Sequence, residues 1–269
     1  MAWTLPRLLR RLRPALGHFQ HALPLGYRGR SVVTLHDLHF ERDPGVMSRL
    51  DRLTFKLVVP RAARRADAVL AVSNRTKLDA VELYGLPDAK VTVTPHGVDP
   101  AFSPGGEHDS FLLFVGAVQA RKDPLAAAEA ARAVGLPLVV AGPEKEPALA
   151  RELRARGADL RGWVEKPELA ELYRSAAALV WPSRYEGFGL PVLEAMASGT
   201  PVVLSPDPAL REVAGDAAVY ASDGDYAAAV ERALADRDRL AAAGIARASD
   251  FSWAETARLT ADVYRAVLA

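Results

Sequence analysis

Two carboxylates flank a glycine-rich turn in residues 181–201, WPSRYEGFGLPVLEAMASGTP. Trp181-Pro182-Ser183 reads as the end of a strand, and Glu186 lies in the loop that follows. Gly187-Phe188-Gly189 then leads to Pro191, where a helix can begin, because proline lacks only an N–H that a first turn leaves unpaired anyway. Gly199 stands where that helix stops. The pattern puts a glycine-rich loop and a helix N-terminus at the carboxyl end of a parallel strand, where open α/β sheets bind their ligands. Unpaired N–H groups and the helix dipole favour an anion such as a diphosphate. Gly187 and Gly189 let the backbone approach closely. The carboxylates of Glu186 and Glu194 repel phosphate but accept hydrogen bonds from sugar hydroxyls. The ligand suited to this set has an anionic middle and hydroxylated ends, as a nucleotide sugar has. The spacing alone fits equally a solvated loop acid and a surface helix acid beside an ordinary strand–helix turn.

The elements that must hold these residues alternate along the chain. Gly17–His21 and Ser31–Leu35 read as strands, Arg49–Arg65 as a helix, Ala68–Ser73 as a buried strand, Thr76–Tyr84 as a helix and Val91–Thr94 as a strand. A Pro/Gly-rich, charged stretch, Asp99–Asp109, reads as a linker. Strand Phe111–Val115, helix Pro124–Val134, strand Leu138–Ala141, helix Pro147–Arg156, helix Lys166–Ser175 and strand Ala177–Trp181 follow it. After the helix from about Pro191 to Ser198 come strand Pro201–Leu204 and helices Tyr226–Leu234 and Ala254–Leu268. Alternation of this kind predicts parallel sheets covered by helices on both faces. Two series joined by a linker predict two doubly wound α/β domains facing a cleft.

Composition narrows the class. Of 269 residues, half are hydrophobic and a quarter charged, an ordinary globular mix with a formal net charge of +1 that points to no nucleic acid partner. The absence of cysteine excludes disulfides, thiolate metal sites and a thiol nucleophile, and fits a reducing cytoplasm. No apolar run approaches the roughly 18 residues of a membrane span. Residues 1–30 carry Arg7, Arg10, Arg11, Arg13, Arg28 and Arg30 and no acid. A basic amphipathic stretch of this sort leaves open a peripheral contact with an anionic membrane, although a solvated surface helix accounts for it more simply. No apolar run follows the arginines as a signal peptide would require. The strings Asp223–Asp225 and Asp236–Asp238 read as solvated acids, and no histidine pair has the spacing of a zinc site such as HExxH, so no metal is expected.

The segment EGFGLPVLEAMASGTPVV resembles the E-x7-E region of retaining glycosyltransferases, the family 4 group in particular. VVTLHDL, VTVTPHGVDPAFSP, FLLFVGAVQARKDP, LVVAGPE, LRGWVEKPELAELYRSAAALVWPS, LREVAGDAAVY and the closing FSWAETARLTADVYRAVL resemble that family in the same order, over nearly the whole chain. The resemblance implies the GT-B fold of two Rossmann-like domains. Residues 1–105 would form a partial acceptor-side domain and linker, residues 106–250 the donor-binding domain, and residues 251–269 a helix packing back toward the first. It implies transfer of a sugar from a UDP- or GDP-type nucleotide-diphosphate sugar to a hydroxyl acceptor (a glycan, a lipid or a small molecule) with retention of configuration and with no permanently bound cofactor.

Residue by residue, the resemblance implies that Glu194 holds the ribose hydroxyls and that Glu186 touches the donor sugar. The backbone of Gly187, Phe188, Gly189 and Leu190 would meet sugar hydroxyls and phosphate oxygens, and Lys122 would face the diphosphate. Gly116 matches the glycine that ends the first strand of the donor domain. Relatives commonly follow it with arginine, here Ala117, which suggests Arg121 as the substitute. Val164, in Gly162-Trp163-Val164, matches the loop that meets the base, and His36 a histidine placed near the donor sugar. His18, His21 and His39 carry no such assignment, His96 is expected to shape the linker, and Glu212 matches a family acid of unassigned role. The chain departs from the family at its front, where the first strand and its glycine-rich loop have no counterpart in residues 1–30. That departure suggests a reduced acceptor site, an altered start, or a second copy or partner chain completing the N-terminal domain. The other class of reading is a non-catalytic nucleotide-sugar-binding module, or one half of a two-chain transferase.

Overall fold

The computed structural model describes residues 4–42, 49–106 and 110–269. The last residues of the expected linker, 107–109, lie outside these. The chain divides into two compact units, one of residues Met1–Gly97 with Trp253–Ala269, the other of residues Val98–Ser252.

In the first unit the order is α1 (Thr4–Leu12), β1 (Gly17–Gln20), β2 (Ser31–Leu35), α2 (His39–Arg42), α3 (Arg49–Arg65), β3 (Ala68–Ala71), α4 (Asn74–Tyr84) and β4 (Val91–Val93). The four strands form one parallel sheet in the order β1-β2-β3-β4, with Gly17 opposite Ser31, Val32 opposite Ala68 and Val69 opposite Val91. β2 is buried along its whole length because successive side chains enter opposite covered faces. Val33 and Leu35 pack with Val59, Ala63, Ala80 and Tyr84 of α3 and α4. Val32 and Leu70 meet Val263 of the C-terminal helix, Trp253–Leu268, on the other face. α4 starts two residues earlier than the sequence pattern predicts, since the Ser73 hydroxyl accepts the Thr76 N–H at 3.0 Å and caps it.

The second unit contains β5 (Leu112–Val115), α5 (Pro124–Val134), β6 (Leu138–Ala141), α6 (Pro147–Ala155), β7 (Asp159–Gly162), α7 (Lys166–Ser175), β8 (Ala178–Trp181), α8 (Leu190–Ala197), β9 (Val202–Leu204), α9 (Pro208–Ala214), β10 (Val219–Tyr220), α10 (Tyr226–Ala235) and α11 (Arg237–Ala248). Its strands are parallel in the order β10-β9-β8-β5-β6-β7. The chain steps outward from β5 to β7, returns to β8, then steps outward the other way. The reversal puts a topological switch point between β5 and β8. The loops leaving these two adjacent strands are 116–123 and 182–189, which hold most of the residues of interest.

Strand β7 was not foreseen. It is a half-exposed edge of mixed polarity, DLRG, without the apolar run that marks the inner strands. α2, α9, β10 and α11 were likewise not foreseen, being short or dominated by alanine and charge. No helix among the described residues is long and apolar enough to cross a membrane.

Candidate functional site

Two glycines bring the strand ends of the second unit into contact. Gly116, directly after β5, has φ +144°, and a Cβ there would stand 2.9 Å from the Trp181 ring and 3.2 Å from Lys122 Nζ. Gly142, directly after β6, has φ +147°, and a Cβ there would lie 2.1 Å from the Gly116 carbonyl oxygen. The Gly116 N–H donates to Ala141 O at 2.7 Å, and the Gly142 N–H to Gly162 O at 2.7 Å. The ends of β5, β6 and β7 are thus stitched side by side, and neither glycine leaves room for a side chain. Gly142 was missed from sequence. Its signal, a glycine closing the apolar run LVVA, is the same one that marks Gly116.

The loop after β5 winds into a single 3₁₀ turn, Ala120–Lys122, which places both cations on one acid. Lys122 Nζ stands 3.5 Å from Glu186 Oε1, and an Arg121 guanidinium nitrogen 3.4 Å from the same oxygen. The side chains of Arg121, Lys122 and Glu186 are only 10%, 14% and 12% exposed. Arg121 also donates to the Tyr185 carbonyl, and the Arg184 N–H donates to Arg121 O at 3.0 Å, so the loops leaving β5 and β8 are tied together. Below the cations, Lys122 Nζ lies 4.2 Å above the centre of the fully buried Trp181 ring, which stacks on Phe114 at 5.3 Å. Contacts of 3.4–3.5 Å are at the loose end for charged hydrogen bonds. Arg121 Nε is buried without a hydrogen-bond partner among the described residues. Both cations are thus held against Glu186 by the loops that carry them.

α8 begins at Leu190, capped by Gly189 at φ +109°, where a Cβ would meet Leu210 Cδ2 at 2.7 Å. Pro191 has no N–H, and Val192 and Leu193 donate to the Gly189 carbonyl at 3.0 and 3.2 Å, which leaves the Leu190 N–H with no carbonyl of the helix to bind. Phe188 is buried edge-on against Phe251 at 5.8 Å, which fixes the loop 187–189 ahead of the helix. Glu194 is the fifth residue of α8, just past its first turn. The Tyr173 hydroxyl of α7 donates to Glu194 Oε2 at 2.9 Å. Burial pushes the Glu194 carboxyl up to about 7, against the Tyr173 hydrogen bond, which favours the ionised form; Asp99 raises it further and Lys166 lowers it. Val164 is half-buried in the turn after β7, two residues ahead of Lys166, while its neighbour Trp163 is 76% exposed.

His36 belongs to the first unit, directly after β2, and stands in a cluster that the sequence pattern did not reveal. Its Nε2 meets the Gln20 side-chain oxygen, and its ring stacks on His96 at 5.7 Å and faces His21 at 5.4 Å. His96 in turn contacts Trp253 at 5.4 Å. Burial lowers the pKa of His21, His36 and His96, the last to about 4, so the cluster is neutral at physiological pH. His18 is bonded to Thr34 Oγ1 at 2.7 Å and to the Tyr264 hydroxyl, and His39 to Asp37. Among the described residues no group of three or more His, Cys, Asp or Glu is placed to hold a metal ion. Asp225 caps α10 by accepting the Ala228 N–H at 2.9 Å, and Asp236 pairs with Arg239, so both acidic strings include a structural member.

Each half of the chain matches a family model. "Glycosyltransferase Family 4" matches residues 1–102, and "Glycosyl transferases group 1" matches residues 109–236. The chain belongs to the family 4 glycosyltransferases.

Relatives of this family 4 chain include O-antigen chain mannosyltransferase B of Escherichia coli, 28% identical over 88% of the chain and 70% of the relative. D-inositol 3-phosphate glycosyltransferase of Nocardiopsis dassonvillei is 34% identical over 77% of the chain and 57% of the relative. The chain therefore spans 57% to 70% of these relatives' length. Sucrose-phosphate synthase of Thermosynechococcus elongatus superposes with a TM-score of 0.82 at 21% identity, over 99% of this chain and 77% of that one. HepE of Anabaena, solved with UDP-glucose, superposes at 0.72 and 18% identity, over 89% and 72%. These structures share the GT-B fold with the family 4 chain. Within it, the glycine-rich turn picked out Glu186 and Glu194 and the family resemblance picked out Arg121 and Lys122, while Gly142 and Tyr173, whose partners are remote in the chain, were passed over.

Proposed function

We propose that this chain transfers a sugar from a nucleotide-diphosphate sugar to a hydroxyl acceptor with retention of configuration. The observation that carries the reading is the convergence of Arg121 and Lys122 on Glu186 beside the N-terminus of α8. Residues 106–250 are taken as the donor-binding domain. Glu194 accepts hydrogen bonds from ribose, the backbone of Gly187, Phe188, Gly189 and Leu190 meets sugar and phosphate oxygens, and Val164 lies toward the base. As the bond from the anomeric carbon to the phosphate oxygen breaks, negative charge gathers on the leaving diphosphate. Lys122, Arg121 and the helix dipole stabilise it where it forms. The acceptor hydroxyl attacks the same face and passes its proton to the departing phosphate oxygen, so no side-chain nucleophile is needed. His36 is assigned to the sugar through the family resemblance. A UDP-type donor is favoured over GDP because HepE is solved with UDP-glucose.

Calorimetric titration with UDP, GDP and ADP tests this. The expected result is selective binding of one nucleotide to the wild type, weakened about tenfold or more in Glu194→Ala. Equal affinity in both proteins would remove Glu194 from the site. Binding without turnover of the matching sugar nucleotide would favour the non-catalytic module, or one half of a two-chain transferase.

A second reading concerns the surface. Leu5, Leu8 and Leu12 of α1 lie along one helical face, 44%, 47% and 61% exposed, with Arg7, Arg10 and Arg11 on the rest. Beside them Arg10, Arg13 and Arg28 help line an open cavity of about 650 Å³. Exposed leucines beside arginines that have no ion pair among the described residues suit an anionic bilayer surface, and the proposal is that this face makes a peripheral membrane contact.

A further inference from the structure

We infer that Tyr173 is a positioning residue for nucleotide binding, holding the Glu194 carboxylate in the orientation and charge state that accept the ribose hydroxyls. The inference rests on the donor-site reading above. Tyr173 is fully buried on α7 and its hydroxyl reaches Glu194 Oε2 at 2.9 Å. Its ring is fixed edge-on by Phe102 at 5.6 Å, and its backbone carbonyl accepts from the Thr200 hydroxyl, so the phenol cannot swing away. A carboxylate has two oxygens. With Oε2 occupied by the phenol, Oε1 is left to accept from a ligand, and rotation about the terminal bond is arrested.

The same hydrogen bond sets the charge. A half-buried carboxyl without a donor is driven toward its neutral form, which offers ribose a poorer acceptor. The phenol works against that burial. It cannot itself lose its proton near neutrality, because burial and the adjacent Glu194 hold its pKa well above the ordinary value. Two further charges face Glu194 from outside α7's buried side, Lys166 and Asp99, which pair with each other at 2.5 Å at the surface. Glu194 therefore titrates close to neutral pH, and nucleotide affinity follows its ionisation.

The test is the Kd for UDP and GDP, measured from pH 6 to 9 by calorimetry, in wild type, Glu194→Ala, Tyr173→Phe and Tyr173→Phe/Glu194→Ala. For the tighter nucleotide, wild-type affinity is expected to rise as Glu194 ionises and then level off. In Tyr173→Phe the rising limb should move about one pH unit higher, with about a fivefold loss at pH 7 that narrows by pH 9. In the Glu194→Ala background the tyrosine change should have no further effect. A loss that is equal at every pH, or that persists in the Glu194→Ala background, would mean Tyr173 only supports the fold and would overturn the inference. Should Tyr173→Phe fail to fold, Lys166→Met, at an exposed position, removes a cation that favours ionised Glu194. It should move the limb the same way by a smaller amount, and an unmoved or lowered limb overturns the inference. Failure of wild type to bind either nucleotide, or unchanged affinity in Glu194→Ala, would instead refute the donor-site reading.

Discussion

Replacing Lys122 by methionine keeps an aliphatic stem over the Trp181 ring and deletes the charge. The ammonium group stands 4.2 Å above that ring and 3.5 Å from Glu186, on a side chain only 14% exposed. A unit charge about 4 Å away at an effective dielectric near 20 is worth about 4 kcal/mol. If roughly half a charge builds on the leaving diphosphate between ground and transition states, Lys122 contributes about 2 kcal/mol to the barrier, or about 30-fold in kcat. Arg121 still faces Glu186 in the variant, so the acid does not become an unpaired buried charge that would confuse the result. The assay is nucleoside diphosphate release at saturating donor, using whichever sugar nucleotide the wild type turns over, with thermal unfolding as the control for fold. A kcat within threefold of wild type, with the donor still bound, would refute the claim that this cation stabilises the leaving group.

Other outcomes follow from the same geometry. Gly142→Ala should cost on the order of 3 kcal/mol or leave no soluble protein, because its Cβ would lie 2.1 Å from the Gly116 carbonyl at φ +147°. Gly135→Ala, at φ +72° with nothing within 4 Å of the added carbon, should cost only about 1 kcal/mol; urea denaturation compares the two. His96 has a folded pKa lowered from 6.5 to about 4, so the unfolded chain binds the extra proton between those values, and stability should fall as pH drops from 6.5 toward 4. His96→Phe should flatten that part of the unfolding profile, and an unchanged pH slope would count against the neutral cluster. Co-sedimentation with vesicles containing anionic lipid should exceed that with neutral phosphatidylcholine vesicles, and Arg10→Gln/Arg13→Gln/Arg28→Gln should abolish the difference; equal sedimentation would dismiss the membrane contact.

Local chemistry was enough to place the principal strands and helices. The apolar runs SVVTL, FLLFV, LVVA and ALVW announce buried parallel strands, and Pro124, Pro147 and Pro191 mark helix starts that the structure shows within one residue. The glycine-rich turn at 187–189 and the two glutamates were equally legible, because a helix N-terminus and a carboxylate advertise their chemistry without reference to distant residues. Short edge elements such as β7 and β10 were not legible, since their pairing comes from the neighbouring strand and not from their own composition.

Tertiary structure alone decided which residues meet. Arg121 and Lys122 precede Glu186 by more than sixty positions, and they converge only because β5 and β8 are neighbours at the switch point of the sheet. The same holds for Tyr173 against Glu194 and for His96 stacked on His36, since a hydrogen bond or a ring contact depends on separation in space. Ionisation belongs to this second class as well. A glutamate reads as an anion in any sequence, and it is burial beside α7 that brings Glu194 to about 7. What residues are capable of is written in their types and local spacing, while their charge and their company are set by the strand order that buries them together.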